Sequence, residues 1–569
     1  MKRKGIKGLA FVAAAGLLAT SCDLLKDVDY TVTPDPLEMH GDSVKVKVDI
    51  VLPEKGINKK AYAEITPAIG THALKPVTIV GEKATANGTV IPYKPGGTVV
   101  YEDIIAYSPD MEVSEFSVTG KVYKKDKLKG EIEKQKIADA TIITPLLVQK
   151  DFRVIIANDK FERVTPEQQV AEINYLKGSS QVRSTEMRDA DIVSLDSFLA
   201  VAQTNPKIEI TGIDIDAYAS LEGEEDKNNT LSTDRSKSAM EATMKIAKRR
   251  KVENEAAQKE DIYSAEGKGE DYEGFKRALK DSDIEEADKK TILNIIDSQS
   301  NLAAREQAIR DMSNYLYLDK NIFPAQRRSE IVVNYDLTGF SDEELKEYSK
   351  SNIDTLNLEE ILFTATLTDD LNEKLRLYKE AERMFSDDYR PANNVGAVLY
   401  MQNKLTEAKA QFEKANGIEE NANSKNNLAA IAGVNGERDD AKALLEEASG
   451  AQDGDMVSYN KGILNIQDGD YEDAISNFGS EATFNKGLAE LLSGEAATGA
   501  STVDGSPAAE TAMGYYLKAI ASARQDKLDG IVSNLKSAFA KDASLKAKAA
   551  KDREFMKYME NASFSSIVK

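Results

Sequence analysis

Ile208–Arg250, IEITGIDIDAYASLEGEEDKNNTLSTDRSKSAMEATMKIAKRR, reads as one strand, one polar loop and one helix. In the strand, Ile208, Ile210, Ile213 and Ile215 are β-branched apolar residues among polar ones, with a slip of the alternation at Thr211-Gly212. The loop, Ser220 to Thr230, holds Gly223, a run of acids and Asn228-Asn229, which is turn chemistry. Ser232 offers a helix N-cap oxygen. Met240, Met244 and Ala247 then recur at helical spacing, and Lys248-Arg249-Arg250 suit the negative end of the helix dipole. Arg235 breaks this logic. In the first turn, where the dipole favours an anion, a cation points to an external anionic ligand.

Around this stretch the 569-residue chain divides by composition and period. Its length suits three or four domains, and 41% apolar with 30% charged residues suits globular ones. A formal net charge of −22 argues against nucleic acid and against a basic lipid-binding patch. With one Cys and two His, His40 and His72, neither an internal disulfide nor a Cys/His metal cluster is expected. MKRKGIK is a basic n-region, LAFVAAAGLLA an apolar h-region, and ATSC a small-residue cleavage site ending at Cys22. This resembles a bacterial lipoprotein signal, cut before Cys22, whose thiol and amine are then acylated. Ala19 stands where such signals usually carry Leu. A plain secretory signal cut elsewhere is the alternative.

Residues 22–150 alternate strand-fashion in Val44–Leu52 and Val113–Tyr123, with Asn-Gly and Pro-Gly-Gly turns between, and predict a β-sandwich. It is either a binding module or a spacer, and Tyr93, Tyr101, Tyr107 and Tyr123 are ordinary aromatics more readily than a sugar platform. Residues 151–168 read as a connector. A strand within Ala171–Val182, a helix with Ile192, Leu195, Phe198, Leu199 and Ala202 on one face, and the Ile208–Arg250 unit then imply a sheet with helices packed on it. In the last third, Ala408, Ala441 and Ala474 recur every 33 residues, as do Phe412, Leu445 and Phe478. NNVGAVLYMQ, NNLAAIAGVN, YNKGILNIQD and FNKGLAELLS occupy the preceding helices. Residues 494–509 read as a flexible break. The array resembles the tetratricopeptide family, and its use is either a groove for a protein or peptide or a self-packed extension.

The central residues resemble the OmpA C-terminal family, peptidoglycan-binding domains of Gram-negative envelope proteins. Gly223, Asn228, Leu231, Ser232 and Arg235 fall in the places of that family's loop and helix motif. Gly267–Phe275 looks like its G-x-G-E segment, and Arg327–Tyr335 like its closing strand. The match spans about Gln169 to Tyr335. It departs in two ways: Ser220 stands where the family has Asp, and residues 276–324 are an insertion. The resemblance implies that Arg235 forks onto the carboxylate of a diaminopimelate stem peptide, with Ser220 taking the place of the Asp that accepts from its ammonium. Glu222 supplies the missing charge if the loop turns it inward. Asn228 and Gly223 shape the loop. The alternative for Arg235 is a surface ion pair with Asp234 or Glu222.

No nucleophile–base arrangement, phosphate-binding glycine loop or H-E-x-x-H appears, and no cofactor or metal is expected. A wall-trimming hydrolase would need two carboxylates lining one cleft. The sequence therefore predicts a multidomain α+β chain: leader 1–21, β-sandwich 22–150, OmpA-like α/β domain 151–340, and tetratricopeptide-like repeats 341–569. As the resemblance implies, it is a non-catalytic lipoprotein of the outer membrane, held by acylated Cys22 and facing the periplasm. It would bind peptidoglycan through Arg235, Ser220, Glu222 and Asn228, and a protein partner through its repeats. The alternative is an envelope scaffold or surface adhesin that has lost wall binding.

Overall fold

The computed structural model describes residues 24–249, 260–299 and 301–569. The leader and Cys22 lie outside the described residues, as does Arg250 at the end of the expected helix. The chain forms two compact units. Residues up to Asn158 join Thr368–Lys569 in one, and Asp159–Leu367 form the other.

The first unit begins with ten strands: β1 (Asp29–Val32), β2 (Met39–His40), β3 (Ser43–Leu52), β4 (Ala61–Ile69), β5 (His72–Ala73), β6 (Val77–Gly81), β7 (Thr89–Ile91), β8 (Gly97–Ala106), β9 (Ser114–Lys124) and β10 (Lys127–Ala140). They make two sheets. In one, β3 pairs with β1 and β2 on one side and β8 on the other; the second runs β10-β9-β4-β6-β7, with β5 on β4. Val44, Val46, Val48, Ile50 and Leu52 of β3 are buried, while Lys45, Lys47 and Val51 face out, the period-2 pattern of a sheet with one wet face. Those residues meet Ile65, Ile69, Phe116 and Val118 of the second sheet in one apolar core. Tyr101 is buried and donates to Asp103, and Tyr123 stacks on Tyr62.

The central unit runs β11 (Val164–Asn174), α1 (Ala190–Thr204), β12 (Ile208–Ala219), α2 (Glu225–Arg249), β13 (Tyr263–Glu270), α3 (Tyr272–Asp281), α4 (Glu286–Asp297), α5 (Leu302–Arg310), α6 (Tyr315–Tyr317), α7 (Phe323–Gln326), β14 (Arg328–Thr338), α8 (Asp342–Ser351) and α9 (Leu358–Thr366). The sheet order is β11-β14-β12-β13, antiparallel except for β12 with β13. Ile192, Leu195 and Leu199 of α1 and Ala239, Ile246 and Ala247 of α2 pack on Ile213, Ile215, Ile331 and Val333. The slip at Thr211-Gly212 is a register shift between Ile210 and Gly212. Two expectations are corrected. The first strand starts at Val164, inside the expected connector, because residues 164–168 complete the pairing with β14 from the edge of the sheet, where Pro166 is tolerated. The second helix starts at Glu225, seven residues before Ser232. Glu225 and Asp226 supply first-turn acids, the Thr230, Ser232 and Thr233 hydroxyls bond carbonyls of the same helix, and Asn228, which looked like turn chemistry, bonds the Ser220 carbonyl and Glu270 beside it. The insertion is helical. Phe275, Leu279, Ile292, Ile296, Ile309, Leu318, Ile322 and Phe323 form its own core around Leu221.

The array runs α10 (Leu371–Met384), α11 (Tyr389–Met401), α12 (Leu405–Ile418), α13 (Ala422–Asn435), α14 (Arg438–Glu447), α15 (Gly454–Asp468), α16 (Tyr471–Phe478), α17 (Phe484–Leu492), α18 (Ala496–Asp504), α19 (Ala512–Arg524), α20 (Leu528–Lys541), α21 (Leu545–Ala549) and α22 (Ala562–Val568). Ala408, Ala441 and Ala474 are fully buried, as are Phe412 and Leu445. The large residue of one helix seats on a small one of its neighbour. A Cβ on Gly396 or Gly462 would fall 2.6 or 2.7 Å from the rings of Phe412 and Phe478. The flexible break expected at 494–509 is instead largely α18. Gly499 brings that helix against the Gly487 carbonyl, and packing of Ala496 and Val503 outweighs its small-residue composition. The expected start of the repeats at 341 also moves, since α8 and α9 belong to the central unit.

Sandwich and array are tied together within the first unit. Arg524 pairs with both Glu38 and Glu554, Arg438 with Asp42 at 2.8 Å, and the His40 ring lies 5.1 Å from Tyr471.

Candidate functional site

The residues expected to hold a wall peptide do gather at one place, at the C-terminal end of β12. Ser220, Glu222, Asn228 and Arg235 are each no more than 6% exposed. Arg235 sits in the third turn of α2, so the helix terminus offers it no anion site. Its guanidinium donates to three backbone carbonyls: Ser179 at 3.0 Å, Tyr218 at 2.7 Å and Leu176 at 3.3 Å. Burial is the main cause that lowers its pKa to about 10, which leaves it charged at neutral pH. Among the described residues no carboxylate lies within ion-pair distance of it, neither Asp234 nor Glu222. The buried guanidinium ties together carbonyls from the loop after β11 and the end of β12.

Glu222 does turn inward. Its Oε1 accepts from Arg327 Nη2 at 2.6 Å and lies 3.5 Å from Lys177 Nζ, so its charge is already answered within the chain. Its Oε2 is buried with no hydrogen-bond partner in the chain. Ser220 Oγ accepts from Arg327 Nε at 3.3 Å. Asn228 donates to the Ser220 carbonyl and to Glu270 Oε1, both at 3.0 Å, which fits a loop-shaping role. The insertion reaches this cluster, because Arg310 donates to the Glu222 carbonyl and Arg305 pairs with Glu270.

The second site is the groove along the inner helices of the array, and it holds the chain's own residues 148–158. This strap adopts neither helix nor strand. Four asparagines grip it through both faces of a peptide unit. Asn394 Oδ1 accepts from the Ala157 N–H at 2.7 Å, and its Nδ2 donates to the Ala157 carbonyl at 2.9 Å. Asn427 treats Ile155 likewise at 2.6 and 2.8 Å, Asn460 treats Arg153 at 2.7 and 2.8 Å, and Asn485 treats Gln149 at 2.8 and 2.9 Å. The strap thus runs antiparallel to the array. Asn393 and Asn426 add donors to the Ile155 and Arg153 carbonyls and link successive amides into a buried chain.

Side chains fix which stretch is held. Phe152 lies against Gly433, where a Cβ would fall 2.4 Å from its ring. The Arg153 guanidinium lies 3.6 Å from the centre of the Tyr459 ring and pairs with Glu481 through both nitrogens. The Tyr459 hydroxyl donates to Asp151 at 2.8 Å; burial, then Asp151, push its pKa up, so it remains a donor. Val154 and Ile155 are buried. The sequence reading passed over these asparagines. Asn394, Asn427 and Asn460 recur every 33 residues in the helices quoted for their small residues, and a repeated Asn inside a helix is unfavourable unless its amide is used. Elsewhere, among the described residues, no group of acids, His or Cys is arranged for a metal, and no helix is long and apolar enough to cross a membrane.

No family model matches the chain, and no curated protein is similar to it. Solved structures similar to it include a tetratricopeptide repeat protein from Parabacteroides merdae, at 14% identity over 38% of this chain and 91% of that one, TM-score 0.28. YrrB, a TPR protein with an unusual peptide-binding site, is similar at 17% identity over 37% of this chain and 99% of that one, TM-score 0.22. The APC/C hetero-tetramer Cut9–Hcn1 matches at 14% over 61% and 76%, TM-score 0.30. The class rests on the helices themselves: 33-residue pairs, small residue facing large, make the C-terminal part a tetratricopeptide-like array.

Proposed function

We propose that the chain is a non-catalytic scaffold of the cell envelope, tethered by acylated Cys22, whose OmpA-like central unit is joined by a strap to a unit of sandwich and repeats. The strap carries this reading. The array's groove is filled by the chain that leads into the central unit, so the repeats first serve to fix that connection, and protein partners meet surfaces outside the groove. The closed state of the Arg235 neighbourhood supports a scaffold that does not rely on wall binding. Cys22→Ser should move the protein from the membrane to the soluble fraction. Retention on membranes in high salt would show another anchor.

Wall binding is the second reading, favoured by Glu222 Oε2, a buried carboxylate oxygen left unpaired beside Ser220. An ammonium such as that of diaminopimelate would satisfy it. Co-sedimentation with sacculi separates the two. The scaffold reading expects the protein to stay in the supernatant. If it pellets, and Glu222→Gln weakens that binding about tenfold or more, the wall-binding reading replaces it.

A further inference from the structure

We propose that two copies of this chain join edge to edge through β8, making one continuous sheet across a two-fold axis. β8 pairs on one side only, with β3, in an unbroken register from Ser43↔Ala106 to Leu52↔Gly97. The Tyr107 N–H reaches back to the Asp42 carbonyl, whereas the Ile104 N–H does not point at β3 and takes Asp103 Oδ1 instead. By the period of two, the N–H and C=O groups of Thr98, Val100 and Glu102 point off the open edge. The side chains at these positions are exposed, and Val100 and Ile104 are 56% and 62% so.

Other long edges are defended. β10 carries three register breaks against β9, and Lys127, Lys129, Glu131, Glu133 and Lys134 line it. β11 carries Pro166, and its Glu172 and Asn174 N–H groups are taken by Asp191 and Glu186. On β8 the Asp103 carboxylate takes the Ile104 and Lys75 N–H groups, and the unbulged stretch Thr98–Glu102 before it remains a site for strand addition.

The occupant follows from how β8 reads against itself. Antiparallel, with the axis at Val100, Val100 faces its own copy and Thr98 faces Glu102. Each carboxylate then meets a hydroxyl donor, with Lys47 3.2 Å away in its own sheet. This register forms about six backbone hydrogen bonds and places no like charges directly opposite. An isologous contact of this kind closes on itself and leaves no open edge there.

The test is the mass of the full chain in detergent, by sedimentation over a wide concentration range, beside Val100→Pro and Val100→Lys. The Val100 N–H points away from β3, so proline removes a donor from the open edge and none from the β3 ladder. Lysine keeps the backbone and sets two ammonium groups opposite each other. A two-chain species whose dissociation constant rises at least about tenfold in both variants is expected. If Val100→Pro fails to fold, Val100→Lys decides alone. A wild-type chain that stays monomeric at every concentration overturns the proposal, and so does a dimer that neither variant weakens.

Discussion

Asn427→Ala should destabilise the first unit by about 2–4 kcal/mol, although it removes only a small polar side chain. The deletion leaves the Ile155 N–H without its acceptor, and Asn393 without a donor from Asn427. The Ile155 carbonyl keeps only its bond from Asn393. Each buried group left unpaired costs about 1–3 kcal/mol, and the strap is too deep for water to replace the amide. Asn427→Asp should cost no less. A carboxylate can accept from the Ile155 N–H but cannot donate to its carbonyl, and it buries a charge. Denaturant unfolding measures the loss, and amide exchange locates it: protection should fall first at Ile155 and Ala157. Removing Asn394, Asn427 and Asn460 together should free the strap, so that trypsin cuts at Lys150 and Arg153 in a chain whose array still folds. Unchanged protection at Ile155 in the single variant would mean that the amides do not hold the strap.

Arg235→Ala should cost the central unit on the order of 3–5 kcal/mol, because a fully buried side chain leaves a cavity and three backbone carbonyls lose one shared donor. Those carbonyls come from residues 176, 179 and 218, so the loop after β11 and the end of β12 lose their common anchor. The unit's thermal midpoint should fall by about 6–20 °C. Arg235→Lys should recover little, since one ammonium cannot reproduce the planar fork that serves three acceptors. If Arg235→Ala unfolds at the wild-type temperature, the guanidinium is not structural, and its place beside Ser220 must be read as a ligand contact. A pull-down with Arg235→Ala alone would mislead, since a loss of wall binding could follow from a loss of fold. Glu222→Gln keeps the Oε1 acceptor for Arg327 but removes the charge that Arg327 and Lys177 answer, so its thermal midpoint is measured beside its binding.

The repeats were legible because they are carried by size. Ala408, Ala441 and Ala474 against Phe412, Leu445 and Phe478 state their own period, and packing preserves it. The sandwich strands were legible for a similar reason, as alternation survives wherever one face is wet. The strap was not. Residues 148–158 carry no period, and their partners lie 237 to 336 residues further along. Nothing local marks an extended segment whose hydrogen bonds are all supplied by distant side chains. The start of α2 was misread through composition, since Asn228, Asn229, Ser232 and Thr233 resemble a loop and its cap. In fact the Ser232 and Thr233 hydroxyls bond a carbonyl of the same helix, and Asn228 and Ser232 reach β13, a partner that exists only in the folded unit. Arg235 followed from that error. Counted from Ser232 it stands in the first turn, and counted from Glu225 it stands inside the helix, facing the end of β12.

The strap also determines how the chain would respond to tension. A pull between the sandwich and Asn158 runs along the groove, so the grips at Asn394, Asn427, Asn460 and Asn485 are sheared together rather than peeled in turn. Three of them hold residues 157, 155 and 153, a spacing of two. A slip of two residues, roughly 6–7 Å, would therefore bring those amides back into register on new peptide units. Backbone grips alone would let the strap creep. Phe152 in its seat at Gly433, and Arg153 on Tyr459, do not repeat at that spacing, so they act as the stop that keeps the strap from advancing.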